Sequence, residues 1–189
     1  MNNFKLAPNF SLYELTRTDR KGFVQLNREG GIRKLYALVL LANLLQKLRD
    51  HLGFPLVIHS GFRCEELNNA VGGSKTSQHR KAEAVDFSPV YLNPETREVV
   101  GNFQDRAFMR HCFLDCVQFL KANGIMFGQF IFEEKTKPKP RLWFHLSLGA
   151  PFRPLDKCGQ VMRYLDGDYS MTELVEFSKW YSNKQGRKK

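Results

Sequence analysis

The chain has 189 residues, an apolar share of 42%, an aromatic share of 13% and a formal charge of +10. That length supports one domain with a proper core and slightly exceeds what one needs, and the composition fits a folded globular protein. No apolar run reaches the roughly eighteen residues of a membrane-spanning helix, while the charge calls for a polyanionic partner such as nucleic acid or wall polymers carrying phosphate and carboxylate.

The opening MNNFKLAPNFSLYEL contains no apolar run of signal-peptide length. This predicts synthesis in a cytoplasm, with delivery elsewhere only if something releases the protein. Ser11 followed by Glu14 has capping-box spacing and predicts a short helix. After the pair Gly30-Gly31, Leu35, Leu38, Val39, Leu41, Ala42, Leu45 and Leu48 recur at three- and four-residue steps. They predict a long core helix over 32–52, stopped by Gly53.

A β-rich run over 55–58 is broken by His59-Ser-Gly61, and a short helix is expected over 64–70. Residues 71–77 form a loop of small side chains, and 84–87 a second strand ended by Pro89. An amphipathic helix is expected over 105–123, closed by Gly124. Strands at 129–133 and 142–148 flank KTKPKP, which predicts an antiparallel pair with a long loop.

Beyond Pro151 the stretch PFRPLDKCG reads as irregular, and 171–181 as a last helix before the basic GRKK. The order predicts an α+β fold, a single antiparallel sheet packed with helices. Residues 1–150 are expected to form the domain and 151–189 an extension packed on it. Cys64, Cys112, Cys116 and Cys158 match neither a CxxC zinc knuckle nor a dense disulfide framework, so four free, mostly buried thiols are expected. His111, Cys112 and Cys116 could pair at helical spacing, but the surrounding AFMRHCFLDCVQFL reads as core.

The most informative stretch is Ser77-Gln-His79-Arg-Lys-Ala-Glu-Ala-Val-Asp86. A histidine in a small-residue loop precedes, by seven positions, an aspartate set among apolar residues. Such a carboxylate must face outward or have a partner, and a divalent cation is one. Later, Trp143-Phe-His145-Leu-Ser147 puts a histidine in an aromatic strand, with Trp143, His145 and Ser147 on one face. Either histidine alone reads as an ordinary core or surface residue. Two histidines and a carboxylate in short strand-loop segments match a catalytic zinc set with an open position.

Ser60-Gly-Phe-Arg63-Cys64, the loop LNNAVGGSKTSQH, the pattern S-x-H-x(6)-D and the late WFHLS occur in the order found in zinc D-Ala-D-Ala carboxypeptidases. From about Asn9 to Leu148 the chain resembles this M15 family of metallopeptidases, which shares its fold with the hedgehog signalling domain. The resemblance implies that His79, Asp86 and His145 hold Zn2+. It also implies that Arg63 meets a substrate carboxylate or the developing oxyanion, and that Ser77 positions substrate.

Two positions depart from the family. Ala82 stands where relatives have glycine, so a positive φ there would be unfavourable. Leu142 stands where several relatives carry an acid, three positions before the last histidine. The acid is expected instead at the end of the preceding strand, from Glu133, with Glu134 in reserve. The resemblance implies a zinc peptidase acting on peptidoglycan stem peptides or cross-links, and the missing signal peptide, small size and positive charge point to a phage-type lysis or entry enzyme. The rival is a catalytically weak wall-binding or virion module of the same fold. A nucleic-acid binder rests on charge alone, without a helix-turn-helix, zinc-finger or RNP-like signature.

Overall fold

The computed structural model describes residues 3–93, 95–166 and 168–171. Strands β1 (Lys5–Ala7) and β2 (Phe10–Ser11) open the chain, followed by helices α1 (Leu12–Leu15), α2 (Val24–Ile32) and α3 (Leu35–Leu52). Then come β3 (Leu56–Ser60), α4 (Glu65–Ala70), β4 (Ala84–Pro89), β5 (Tyr91–Leu92), β6 (Val99–Gly101) and α5 (Arg106–Ala122). Strands β7 (Gln129–Lys135), β8 (Arg141–Ser147), β9 (Gln160–Leu165) and β10 (Asp168–Met171) complete the order. Among the described residues no helix is long and apolar enough to cross a membrane.

Local chemistry accounts for the helix ends. Ser11 Oγ accepts from Glu14 N at 3.3 Å, while Glu14 Oε2 accepts from Ser11 N at 2.8 Å, closing the capping box that starts α1. Gly53, at φ +75°, ends α3. Asp105 caps α5 by accepting from the amides of Ala107 and Phe108.

The long helix begins at Leu35 rather than residue 32, and the Gly30-Gly31 pair lies inside α2 instead of leading into it. A Cβ on Gly31 would come within 2.3 Å of Thr16 Cγ2. The residue is therefore small to let α2 sit close to the end of α1, a packing demand that a local turn reading does not see.

The fold is α+β as expected, but its sheet differs from the expected single antiparallel one. Six strands run in the order β10-β9-β7-β8-β4-β3, and β1-β2 and β5-β6 form separate ribbons. All neighbours in the large sheet are antiparallel except β7 and β9, which are parallel. The cause is connectivity: β8 returns along β7, and the loop after it brings β9 to β7's other edge in β7's own direction. The segment beyond residue 150 thus supplies two strands of the main sheet. Met171 ends β10, and the rest of the helix expected over 171–181 lies outside the described residues.

Period-two alternation divides the sheet into two faces. Phe87 of β4, Phe130 and Phe132 of β7 and Phe144 of β8 are buried against α5, whose Phe113 ring lies 4.6 Å from that of Phe130. Each such side chain contributes about 1.5–3 kcal/mol by burial. The same alternation turns Asp86, Glu133, Trp143 and His145 to the opposite face, where a cleft forms. All four cysteines are free, with Cys64, Cys112 and Cys116 buried. Burial pushes the Cys112 thiol up to about 12, so it stays protonated and inert.

Candidate active site

The sheet register brings the three expected ligands together. Asp86 on β4 pairs directly with His145 on β8, and His145 pairs on its other side with Ile131 of β7. His79 arrives from a short 3-10 turn, Gln78–Lys81, lying over the end of β4. One potential ligand atom from each of His79, Asp86 and His145 lies within 4.8 Å of the others, the one such group among the described residues.

The hydrogen bonds fix which ring nitrogens face inward. His79 Nδ1 lies 2.7 Å from the Gly61 carbonyl. A carbonyl can only accept, so Nδ1 carries the proton and Nε2 presents its lone pair, 3.3 Å from Asp86 Oδ1. His145 Nε2 lies 3.2 Å from Gln78 Oε1, leaving Nδ1 at 2.9 Å from the same Asp86 oxygen. Burial keeps His79 neutral by lowering its pKa. Burial opposes the charge on Asp86, but the closeness of His79 and His145 holds its carboxyl well below the usual range.

Two imidazole lone pairs and an ionised carboxylate therefore turn toward one another. A shared cation relieves that arrangement, and the donor set, two nitrogens and an oxygen with each outer ring nitrogen tied to an acceptor, suits zinc.

The supports are built locally. A Cβ on Gly61 would strike the Leu15 carbonyl at 2.2 Å, so only glycine lets this strand end pass close enough to hold His79. The His79 carbonyl accepts from Arg63 N at 3.0 Å and Ala82 N at 3.2 Å, joining the two halves of the site. Asn27 of α2 donates to the carbonyls of Thr16 and Phe62 and accepts from Cys64 N at 2.7 Å, clamping the backbone on both sides of Arg63.

Nothing in the sequence around Asn27 signalled this role. For Gln78 the one cue was its place beside His79 in Ser77-Gln-His79. Its amide donates to Ser147 Oγ at 3.2 Å while its oxygen orients His145.

Ala82 adopts φ +61°, the left-handed region its family glycine would occupy freely, with its methyl fully buried. Strain of about 1 kcal/mol is offset by the buried methyl and by lower chain entropy when unfolded. Ala82→Gly is therefore expected to change stability in urea unfolding by less than about 1 kcal/mol. A gain above about 2 kcal/mol would show that this turn stores strain.

The cleft has a volume of about 750 Å³ and is lined by Arg63, Ser77, Glu133 and Trp143 as well as the cluster. Glu133 Oε1 lies 4.0 Å from His145 Nδ1. Burial, reinforced by the charge of Asp86, pushes its carboxyl up to about 7. Glu134 points to the opposite face, where Arg106 and Arg163 hold its Oε2 at 2.7 and 3.4 Å. Leu142 is buried on that same far face, so a carboxylate there would not enter the cleft. Arg63 Nη2 stands 3.8 Å from Asp86 Oδ2, and its Nε is buried without a hydrogen-bond partner among the described residues.

Among curated proteins, none matches this chain. The family model Peptidase M15 matches residues 8–109, a stretch holding Arg63, Ser77, His79 and Asp86. Glu133 and His145 lie past it and reach the site through the sheet pairing. With more than half of its length matched and the His-Asp-His cluster assembled, the chain belongs to the peptidase M15 family, whose members are zinc-dependent metallopeptidases.

Proposed function

We propose that this protein is a zinc peptidase hydrolysing peptide bonds of peptidoglycan stem peptides or cross-links, with His79, Asp86 and His145 as ligands and Glu133 as the general base. The observation that carries this reading is the convergence of the three ligand atoms beside a cleft-facing carboxyl raised to about 7. Zinc held there supplies a Lewis acid that makes water nucleophilic near neutral pH and polarises the scissile carbonyl.

Glu133 takes a proton from the attacking water and returns it to the departing amine; a pKa near the working pH suits both transfers. Arg63 lines the cleft and offers its guanidinium to the developing oxyanion or to a substrate carboxylate. Ser77 and the adjoining Gly73 and Ser74 line the cleft and leave room for an extended peptide with small side chains. The +10 charge favours accumulation on an anionic wall, and a phage-type lysis or penetration enzyme, made in a cytoplasm and acting on the wall after release, fits these properties.

The test is digestion of purified peptidoglycan with and without a chelator, followed by mass spectrometry. New termini at one type of peptide bond, lost on chelation and restored by zinc, are expected. Equal products in both arms would sink the proposal. Gln78→Ala, which frees the outer nitrogen of His145, is expected to weaken zinc binding at least about tenfold in competition with a chelating dye. An unchanged affinity would remove Gln78 from the supporting shell.

A further inference from the structure

The cleft contains a second guanidinium that the reaction outlined above does not use. Arg153 lies in the loop between β8 and β9 and lines the same cleft as the His-Asp-His cluster. Its stem is packed against Gly128, where a Cβ would approach Arg153 Cδ to 2.7 Å and Ser147 Oγ to 2.6 Å. Ser147 Oγ in turn accepts from Gln129 N at 2.8 Å and from Gln78, the residue that orients His145. Arg153 is therefore fixed to the framework of the site rather than swinging free in solvent.

Its Nη1 is buried and lacks a hydrogen-bond partner, and among the described residues no carboxylate lies within ion-pairing distance of it. Glu83 acts on it only at longer range. The unpaired Nη1 leaves the guanidinium with no internal partner for its charge, and an anion arriving in the cleft at its other N–H groups would supply one. Ser74 and Thr76, whose hydroxyls hydrogen-bond to each other at 3.0 Å, line the same cleft.

We infer that Arg153 forms an anion subsite that recognises a carboxylate on the peptide substrate away from the scissile bond, so that the enzyme selects acidic over amidated peptides. Arg63 serves the reacting end of the cleft and Arg153 the remote group. The inference rests on the cleft being the substrate cleft.

Two synthetic stem peptides test it, identical except that the free carboxylate of the acidic residue is a carboxamide in one. Binding to metal-free protein is measured by calorimetry, and hydrolysis by zinc-loaded protein separately. The wild-type protein is expected to bind the carboxylate form about tenfold more tightly, as a charge-assisted hydrogen bond implies. Arg153→Gln loses that preference, the loss appearing in KM rather than kcat, and Arg153→Lys restores part of it. Preference in binding without hydrolysis would keep the subsite and discard the peptidase reading. Equal binding of both peptides by the wild-type protein, or a preference that survives in Arg153→Gln, would overturn the subsite.

Discussion

Glu133→Gln is expected to lower kcat on peptidoglycan fragments by about 10²–10⁴-fold while zinc content stays at the wild-type level. Glutamine keeps the shape and the hydrogen-bonding reach of the side chain but cannot accept a proton. The loss corresponds to roughly 3–5 kcal/mol of transition-state stabilisation. Metal is retained because Glu133, 4.0 Å from His145 Nδ1, stands outside the ligand cluster.

Glu134→Gln is the matched control. Its carboxylate serves Arg106 and Arg163 on the far face of β7, so any cost there falls on stability rather than turnover. The readouts are kcat from released amine and zinc by atomic absorption. Turnover within about fivefold of wild type in Glu133→Gln would remove this residue as the base, and an equal loss in Glu134→Gln would deny the distinction between the two faces.

That distinction was already contained in the sequence, though not spelled out by it. Phe130-Ile-Phe-Glu133-Glu134 alternates, so one glutamate must follow the phenylalanines into the layer beneath α5 and the other must oppose them. What decides the matter is which face carries His145, and that depends on the register between β7 and β8, where Glu133 meets Trp143 and Ile131 meets His145. Period alone told that Trp143 and His145 share a face. Pairing across a long hairpin loop told the rest.

The ligand set was legible for a different reason. His79, Asp86 and His145 are chemically conspicuous: a carboxylate among Ala84, Val85 and Phe87, and a histidine among aromatic residues, demand partners. Gln78 and Asn27 gave no such sign, because neutral amides are satisfied by backbone or water in most settings. Their importance comes from where three chain segments meet. The parallel pairing of β9 with β7 was hidden too, since Gln160–Leu165 follows an irregular loop and its alternation is weak, with only Val161 buried.

In metal-free protein, Glu133→Gln is also expected to be the more stable form at pH 8, by about 2–3 kcal/mol, with little difference at pH 5. Burial and the neighbouring Asp86 raise the Glu133 carboxyl from 4.5 to about 7 in the folded state. A group raised in this way leaves stability intact below its unfolded pKa and removes it as pH climbs through the folded one. The full span corresponds to roughly 3 kcal/mol, most of it falling between about pH 5 and pH 8.

His59 and His79 act in the opposite sense. Burial lowers both, so they stay neutral in the fold and cost stability as the pH drops below 6.5. Those contributions are common to wild type and variant and cancel in the comparison. Urea unfolding of metal-stripped protein at the two pH values measures the difference directly. A gap between the two proteins that does not widen with pH would mean that Glu133 is not held in the desolvated, anion-facing position from which its chemistry is argued.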